Sequence, residues 1–194
     1  MRKNIILCGV GGQGTVLASR LISAAAMAKG IPVLSAETIG MAQRGGSVFS
    51  HIRLGEGIYS PMIARGEADL IIGFEPGEAV RLLPFLKPGG RMIVSDRAVM
   101  PVTASLSGSD YRASDMLDFL SSHVRDLRII RAEKAMQDIG SAKVLNLILL
   151  GAAVSGGALG LAEADLKEAI RTRIPEKFHE LNYRALAYSQ QSSL

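Results

Sequence analysis

The sequence predicts an α/β chain: a Rossmann-like, doubly wound, mainly parallel sheet with a hairpin insertion and a helical C-terminal part. Three observations carry that reading. Ile5-Ile6-Leu7-Cys8 is a short apolar run that enters a glycine turn, Gly9-Val10-Gly11-Gly12-Gln13-Gly14, and a helical pattern starts at Thr15. Further short apolar runs at residues 70–74, 91–96 and 127–131 alternate with polar or helical stretches, as strands of a wound sheet do. The last third of the chain then carries helical spacing with no strand signal.

The first helix is predicted over residues 15–29, with Leu17, Leu21, Ala25 and Ala28 recurring at helical spacing and Gly30 as its stop. A second strand follows at 31–36. Strand, glycine turn, helix and strand form a βαβ unit, which implies a parallel sheet. Residues 37–46, Glu-Thr-Ile-Gly-Met-Ala-Gln-Arg-Gly-Gly, read as a loop. Residues 47–54 alternate, with Val48, Ser50, Ile52 and Leu54 on one face and Phe49, His51 and Arg53 on the other, as a half-exposed strand does. Gly55-Glu56-Gly57 is a turn, after which Ile58-Tyr59-Ser60 is expected to pair back as a hairpin. A helix begins at Pro76, a residue suited to the first helical position, and closes at Pro84 and Lys87-Pro88-Gly89-Gly90. Residues 97–126 are polar and read as an irregular excursion. Helices are expected at about 143–154, 163–173 and 176–188, followed by a frayed tail.

At 194 residues the chain suits one domain, residues 1–194, with a full core. A net charge of +4 comes from scattered Lys and Arg, with no basic run interleaved with aromatics, which gives no sign of a nucleic-acid partner. The apolar stretch 144–161 is interrupted by Asn146, Gly151 and Ser155-Gly156-Gly157 and reads as a core helix. The N-terminal apolar run is too short for a signal peptide, so no membrane partner and a cytoplasmic location are expected. Cys8 is the only cysteine, so this chain alone can supply neither an internal disulfide nor a cysteine-ligated iron–sulfur cluster. His51, His123 and His179 lack metal-ligand spacing.

The candidate small-molecule site is Gly11, Gly12, Gln13, Gly14 and Thr15. Glycines let a ligand lie against the backbone, and the unpaired N–H groups that open a helix favour phosphate or carboxylate. The same spacing serves a turn that only packs helix against strand, and the pattern alone leaves both open. Glu37, 23 positions after Gly14, lies near where dinucleotide folds keep a ribose-binding acid, and equally suits a loop carboxylate. The loop residues Glu37, Gln43, Arg44, Gly45 and Gly46 form a second candidate region. A guanidinium beside flexible backbone, with apolar Ile39 and Met41 in the same loop, suits a partner interface or an anionic substrate. Asn146 is expected to be a satisfied buried amide. No nucleophile, base and acid constellation can be read, so no catalytic residue is assigned.

Taken in order, these segments resemble a family. The glycine turn, residues 37–48, Tyr59-Ser60-Pro61, Gly66-Glu67-Ala68-Asp69-Leu70, Glu75-Pro76, Lys87-Pro88-Gly89-Gly90, Asn146 with Gly151-Ala152, and Pro175-Glu176 with Glu180-Leu181-Asn182 are similar to the gamma subunit or domain of 2-oxoacid:ferredoxin oxidoreductases. The Gly40-Met41-Ala42-Gln43-Arg44-Gly45-Gly46-Ser47-Val48 version looks most like the small (beta) subunit of the indolepyruvate branch. Ile39 stands where the family commonly has histidine. The resemblance implies a subunit inactive alone, with a large partner carrying thiamine diphosphate and the iron–sulfur clusters. It also implies coenzyme A as co-substrate and ferredoxin as acceptor, with an aryl pyruvate giving an acyl-CoA and CO2. Two other readings stay open on the residues alone: a stand-alone NAD(P)-binding dehydrogenase, and a non-catalytic scaffold.

Overall fold

The computed structural model describes residues 2–39, 46–99 and 111–191. Gln43, Arg44 and Gly45, and the serines at 105, 107 and 109, lie outside the described residues. The elements in chain order are β1 (Lys3–Val10), α1 (Thr15–Ala28), β2 (Val33–Ile39), β3 (Ser47–Leu54), β4 (Ala68–Gly73), α2 (Pro76–Leu82), β5 (Leu86–Ser95), α3 (Ala113–His123), β6 (Asp126–Ile130), α4 (Ala132–Ile139), α5 (Leu145–Ser155), α6 (Glu163–Arg173) and α7 (His179–Gln191).

Among the described residues the strands form a six-stranded sheet in the order β2-β3-β1-β4-β5-β6. β1, β4, β5 and β6 pair in parallel, while β3 runs antiparallel to both of its neighbours, β1 and β2. The βαβ unit is therefore present with β3 inserted between its two strands. The antiparallel insertion is real, but β3 pairs with β1 and β2 and not with residues 58–60, which form no strand; Tyr59 is exposed. The expected exposed face is in fact half-buried: Phe49 and Arg53 are partly accessible, and His51 is 1% accessible. Alternation identified the two faces correctly but not that Phe85 and Ile63 pack against His51 on the second.

Parallel strands covered on both sides feed two cores. Ile5 and Leu7 of β1, Leu70 and Ile72 of β4 and Ile93 of β5 face a core shared with α1, α4, α5, α6 and α7. Ile6, Cys8, Ile71, Met92 and Val94 face a smaller core with α2 and α3. α1 buries Ala18, Leu21, Ile22, Ala25 and Ala26, while Leu17 and Ala28 are exposed, so its buried stripe is rotated from the expected one. α5 is apolar all round because it is buried all round: residues 145–153 are covered by the sheet, α1 and α7.

Two helices were not foreseen. α3 lies inside the stretch read as an irregular excursion and closes the smaller core through Leu120. α4 carries a sharply one-sided apolar face of Ala135, Met136 and Ile139. Lys87-Pro88-Gly89-Gly90 belongs to the irregular start of β5, where the pairing with β4 shifts register. Among the described residues no single helix is long and apolar enough to cross a membrane.

Candidate functional site

β1 and β4 are neighbours, but α1 leaves β1 towards the larger core and α2 leaves β4 towards the smaller one. The connections diverge here, and open α/β sheets usually bind their ligands at such a point, outside the carboxyl ends of the strands. The glycine turn lies on one side of this point and Phe74-Glu75-Pro76 on the other.

Gln13 ties the two sides together. Its Oε1 accepts from the Val10 N–H at 2.9 Å and its Nε2 donates to the Phe74 carbonyl at 3.0 Å. A Cβ on Gly9 would lie 2.6 Å from Gln13 Oε1 and 2.7 Å from Phe74 Cβ, so Gly9 is required by close packing. The Gln13 side chain is thus a brace, while its N–H donates to the Val10 carbonyl at 3.3 Å and that of Gly11 to the Gly46 carbonyl at 2.9 Å. The amides of Gly12 and Gly14 have no partner among the described residues. Gly14, the N-cap of α1, sits at φ 85°, a left-handed conformation that disfavours side chains. Thr15 opens the helix and is 3% accessible.

The Gly11–Gly46 bond joins the two candidate regions: the far end of the 37–46 segment rests on the glycine turn. Glu37 departs from the loop assignment. It lies in β2, in register with Ser50 of β3, which is in register with Leu7 of β1. Two strand spacings, about 9.6 Å, separate it from β1. In a dinucleotide fold the ribose acid ends the strand beside β1; here β3 occupies that place, and Glu37 does not take up that geometry.

The head of the sheet also holds residues to which the sequence assigned no role in the site. Glu75 (2% accessible) caps α2 by accepting from the Glu78 N–H at 2.9 Å, and its other oxygen accepts from the Tyr111 hydroxyl. That hydroxyl accepts from the Gly77 N–H at 3.0 Å. Glu78 (5% accessible) accepts from Ser47 Oγ at 2.6 Å and pairs with Arg81 at 3.4 Å. These bonds fasten the start of β3 and the segment before α3 to the head of the sheet. Burial, then the hydrogen bond to Glu75, pushes the Tyr111 phenol up. The visible signal was Glu75-Pro76 directly after a buried strand, the sequence of an acidic cap with proline at the first helical position.

Nothing in this constellation is a nucleophile. Burial, reinforced by Glu78 and then Glu75, raises the Cys8 thiol far above its usual range. The thiolate is the reactive and cluster-binding form. A cysteine-ligated cluster needs several such ligands, and this chain has one buried thiol. Among the described residues no group of His, Cys, Asp and Glu is arranged to hold a metal ion.

The family model for pyruvate ferredoxin/flavodoxin oxidoreductase matches residues 4–191. The chain belongs to this family. It is 36% identical over 184 residues to the indolepyruvate oxidoreductase subunit IorB of Thermococcus kodakarensis, covering 94% of this chain and 91% of that protein. The IorB of Methanothermobacter thermautotrophicus is 37% identical over 186 residues, covering 95% and 94%. In fold, the chain is similar to the gamma subunit of keto/oxoacid ferredoxin oxidoreductase from Geobacter sulfurreducens, with a TM-score of 0.70, 22% identity, and coverage of 97% and 96%. It also superposes on part of the 2-oxoglutarate:ferredoxin oxidoreductase of Magnetococcus marinus, with a TM-score of 0.72 and 18% identity, covering 98% of this chain and 30% of that one. That structure was solved with 2-oxoglutarate, coenzyme A and succinyl-CoA bound. This family member is a small subunit of a 2-oxoacid:ferredoxin oxidoreductase, part of a hetero-oligomeric enzyme. Neither the stand-alone dehydrogenase nor the scaffold reading is favoured.

Proposed function

We propose that the chain completes an indolepyruvate:ferredoxin oxidoreductase, with thiamine diphosphate and the iron–sulfur clusters on a large partner subunit. An aryl pyruvate loses CO2, the acyl carbon is oxidised and captured by the coenzyme A thiol, and the electrons leave on ferredoxin. The observation that carries the aryl-pyruvate reading is the similarity to IorB subunits, 36% and 37% identical over almost the whole chain, against 26% for a 2-oxoglutarate synthase subunit, KorC. The lone, buried cysteine supports placing the clusters on the partner. A cytoplasmic complex is the corresponding location.

Within the chain, Gly11, Gly12, Gln13, Gly14 and Thr15 are the proposed ligand-binding turn, with Gly12 and Gly14 offering amides and Gln13 holding the shape. Glu37, Gln43, Arg44, Gly45 and Gly46 are the proposed partner- and substrate-facing segment, and Gly46 couples it to the turn. The assembled complex should reduce ferredoxin with indolepyruvate at a kcat/KM at least tenfold above those with pyruvate and 2-oxoglutarate. A preference for either smaller acid would overturn the aryl-pyruvate reading.

A further inference from the structure

The connection between β2 and β3 has two unlike ends. Ile39, in register with Val48, is the last paired residue of β2, an edge strand that pairs with β3 alone among the described residues. The other end pairs with Val10 of β1 and is fastened twice more. The Gly46 carbonyl accepts from the Gly11 N–H at 2.9 Å, and the Ser47 hydroxyl donates to Glu78 Oε2 at 2.6 Å. Glu78 is itself a fixed point. It is 5% accessible, and its N–H donates to the Glu75 side chain that caps α2. α2 also lies so close to β4 that a Cβ on Gly73 would be 2.7 Å from the Ala79 Cβ. Burying a carboxylate is costly unless it is hydrogen-bonded. The Ser47 hydroxyl meets that need with a short, charge-assisted bond, the kind that fixes position closely.

Resting on residues 37–46 as the segment that faces the substrate, we infer that Ser47 and Glu78 are positioning residues for the reaction. Their hydrogen bond sets where that segment re-enters the sheet, and so sets how well the oxoacid binds. The bond joins residues 31 positions apart, on β3 and α2. It refers the end of the segment to the same helix start that Gln13 braces through the Phe74 carbonyl. Gly46 and Ser47 are consecutive, so one holds the segment to the glycine turn and the next holds it to α2. Arg44, the proposed contact, stands three residues before Ser47 in the sequence. Without the Ser47 hydroxyl a smaller share of complexes presents the segment correctly. Apparent substrate affinity falls in proportion to that share, while complexes that do bind react as before.

Steady-state kinetics of the complex reconstituted from both subunits, with coenzyme A and ferredoxin, tests this. The oxoacid is whichever of indolepyruvate, pyruvate and 2-oxoglutarate the complex turns over best, so failure of the aryl-pyruvate reading leaves the test standing. Ser47→Ala should raise KM for the oxoacid about fivefold or more, with kcat and partner affinity within about twofold of wild type. Ser47→Thr keeps the hydroxyl and should restore KM. Glu78→Gln keeps an accepting oxygen and should do the same. Glu78→Ala should match Ser47→Ala, and the double variant should be no worse than either, because each removes the same bond. If Glu78→Ala does not fold, the two Ser47 variants carry the test. A lowered melting temperature with wild-type KM in Ser47→Ala would overturn the inference and leave a bond that serves only the fold. An effect confined to partner affinity would overturn it too. Arg44→Ala measured alongside separates the two levels when Ser47→Ala is silent. Impaired turnover in Arg44→Ala would then overturn only the positioning role, and wild-type turnover would overturn the substrate-facing segment with it.

Discussion

His51 shows how much a single side chain depends on its strand's position. It is flanked edge-on by Phe49 and Phe85, its Nδ1 accepts from the Ile63 N–H at 3.1 Å, and its Nε2 is buried without a partner among the described residues. Burial lowers its pKa from the usual 6.5. The folded state therefore takes up a proton less readily than the unfolded chain, so the stability associated with neutral His51 is complete above pH 6.5 and is lost as pH falls through the folded-state value. Melting temperatures measured between pH 8 and pH 5 should fall more steeply for wild type than for His51→Gln; parallel curves would refute the burial effect. The sequence shows a histidine at an alternating position and no indication that Phe85 and Ile63, from later segments, enclose it. Glu75 was more legible, since an acid before proline after a buried run marks a cap, yet its bond to Tyr111 joins residues 36 positions apart and has no local trace.

At the scale of elements, the closest approach is between α5 and α7. A Cβ on Gly151 would lie 2.0 Å from the Leu186 carbonyl oxygen, a backbone atom that cannot rotate away. Gly151→Ala should destabilise the chain by about 3 kcal/mol, at the upper end of overpacking costs, because two helices must separate. Urea unfolding monitored by circular dichroism measures this, and a change below about 1 kcal/mol would mean that the helices accommodate the methyl group easily. Local pattern revealed β1, α1, β4, α2, β6 and α6 because each carries its own period and punctuation. It missed α3, whose single fully buried residue, Leu120, gives almost no stripe, and α4, an eight-residue helix between a strand and a glycine. Strand order was legible only in part: the alternation of β3 marks a strand, but its insertion between β1 and β2 is a long-range choice that no window of sequence contains.

For the whole molecule, the arrangement separates support from contact. The head of the sheet braces itself through Gln13, Glu75 and Glu78, and Gly46 is tied to the glycine turn by a backbone hydrogen bond from Gly11. Arg44 belongs to that segment by sequence and is the proposed contact to partner or substrate. Arg44→Ala should lower the turnover of the assembled enzyme at least tenfold while leaving the melting temperature of the subunit within a degree or so, since the role proposed for Arg44 lies in the assembled complex. Wild-type turnover and partner affinity in that variant would remove the segment from the site. The central claim is that this chain contributes an indispensable, cluster-free part of a 2-oxoacid:ferredoxin oxidoreductase. The most direct test is reconstitution: coenzyme A-dependent ferredoxin reduction by indolepyruvate, measured for the chain alone, the purified large subunit alone, and the two together. The account predicts activity only in the mixture, saturating at a fixed stoichiometry, with iron and thiamine diphosphate recovered on the large subunit. Full activity of the large subunit alone, or iron bound stoichiometrically to this chain, would contradict it.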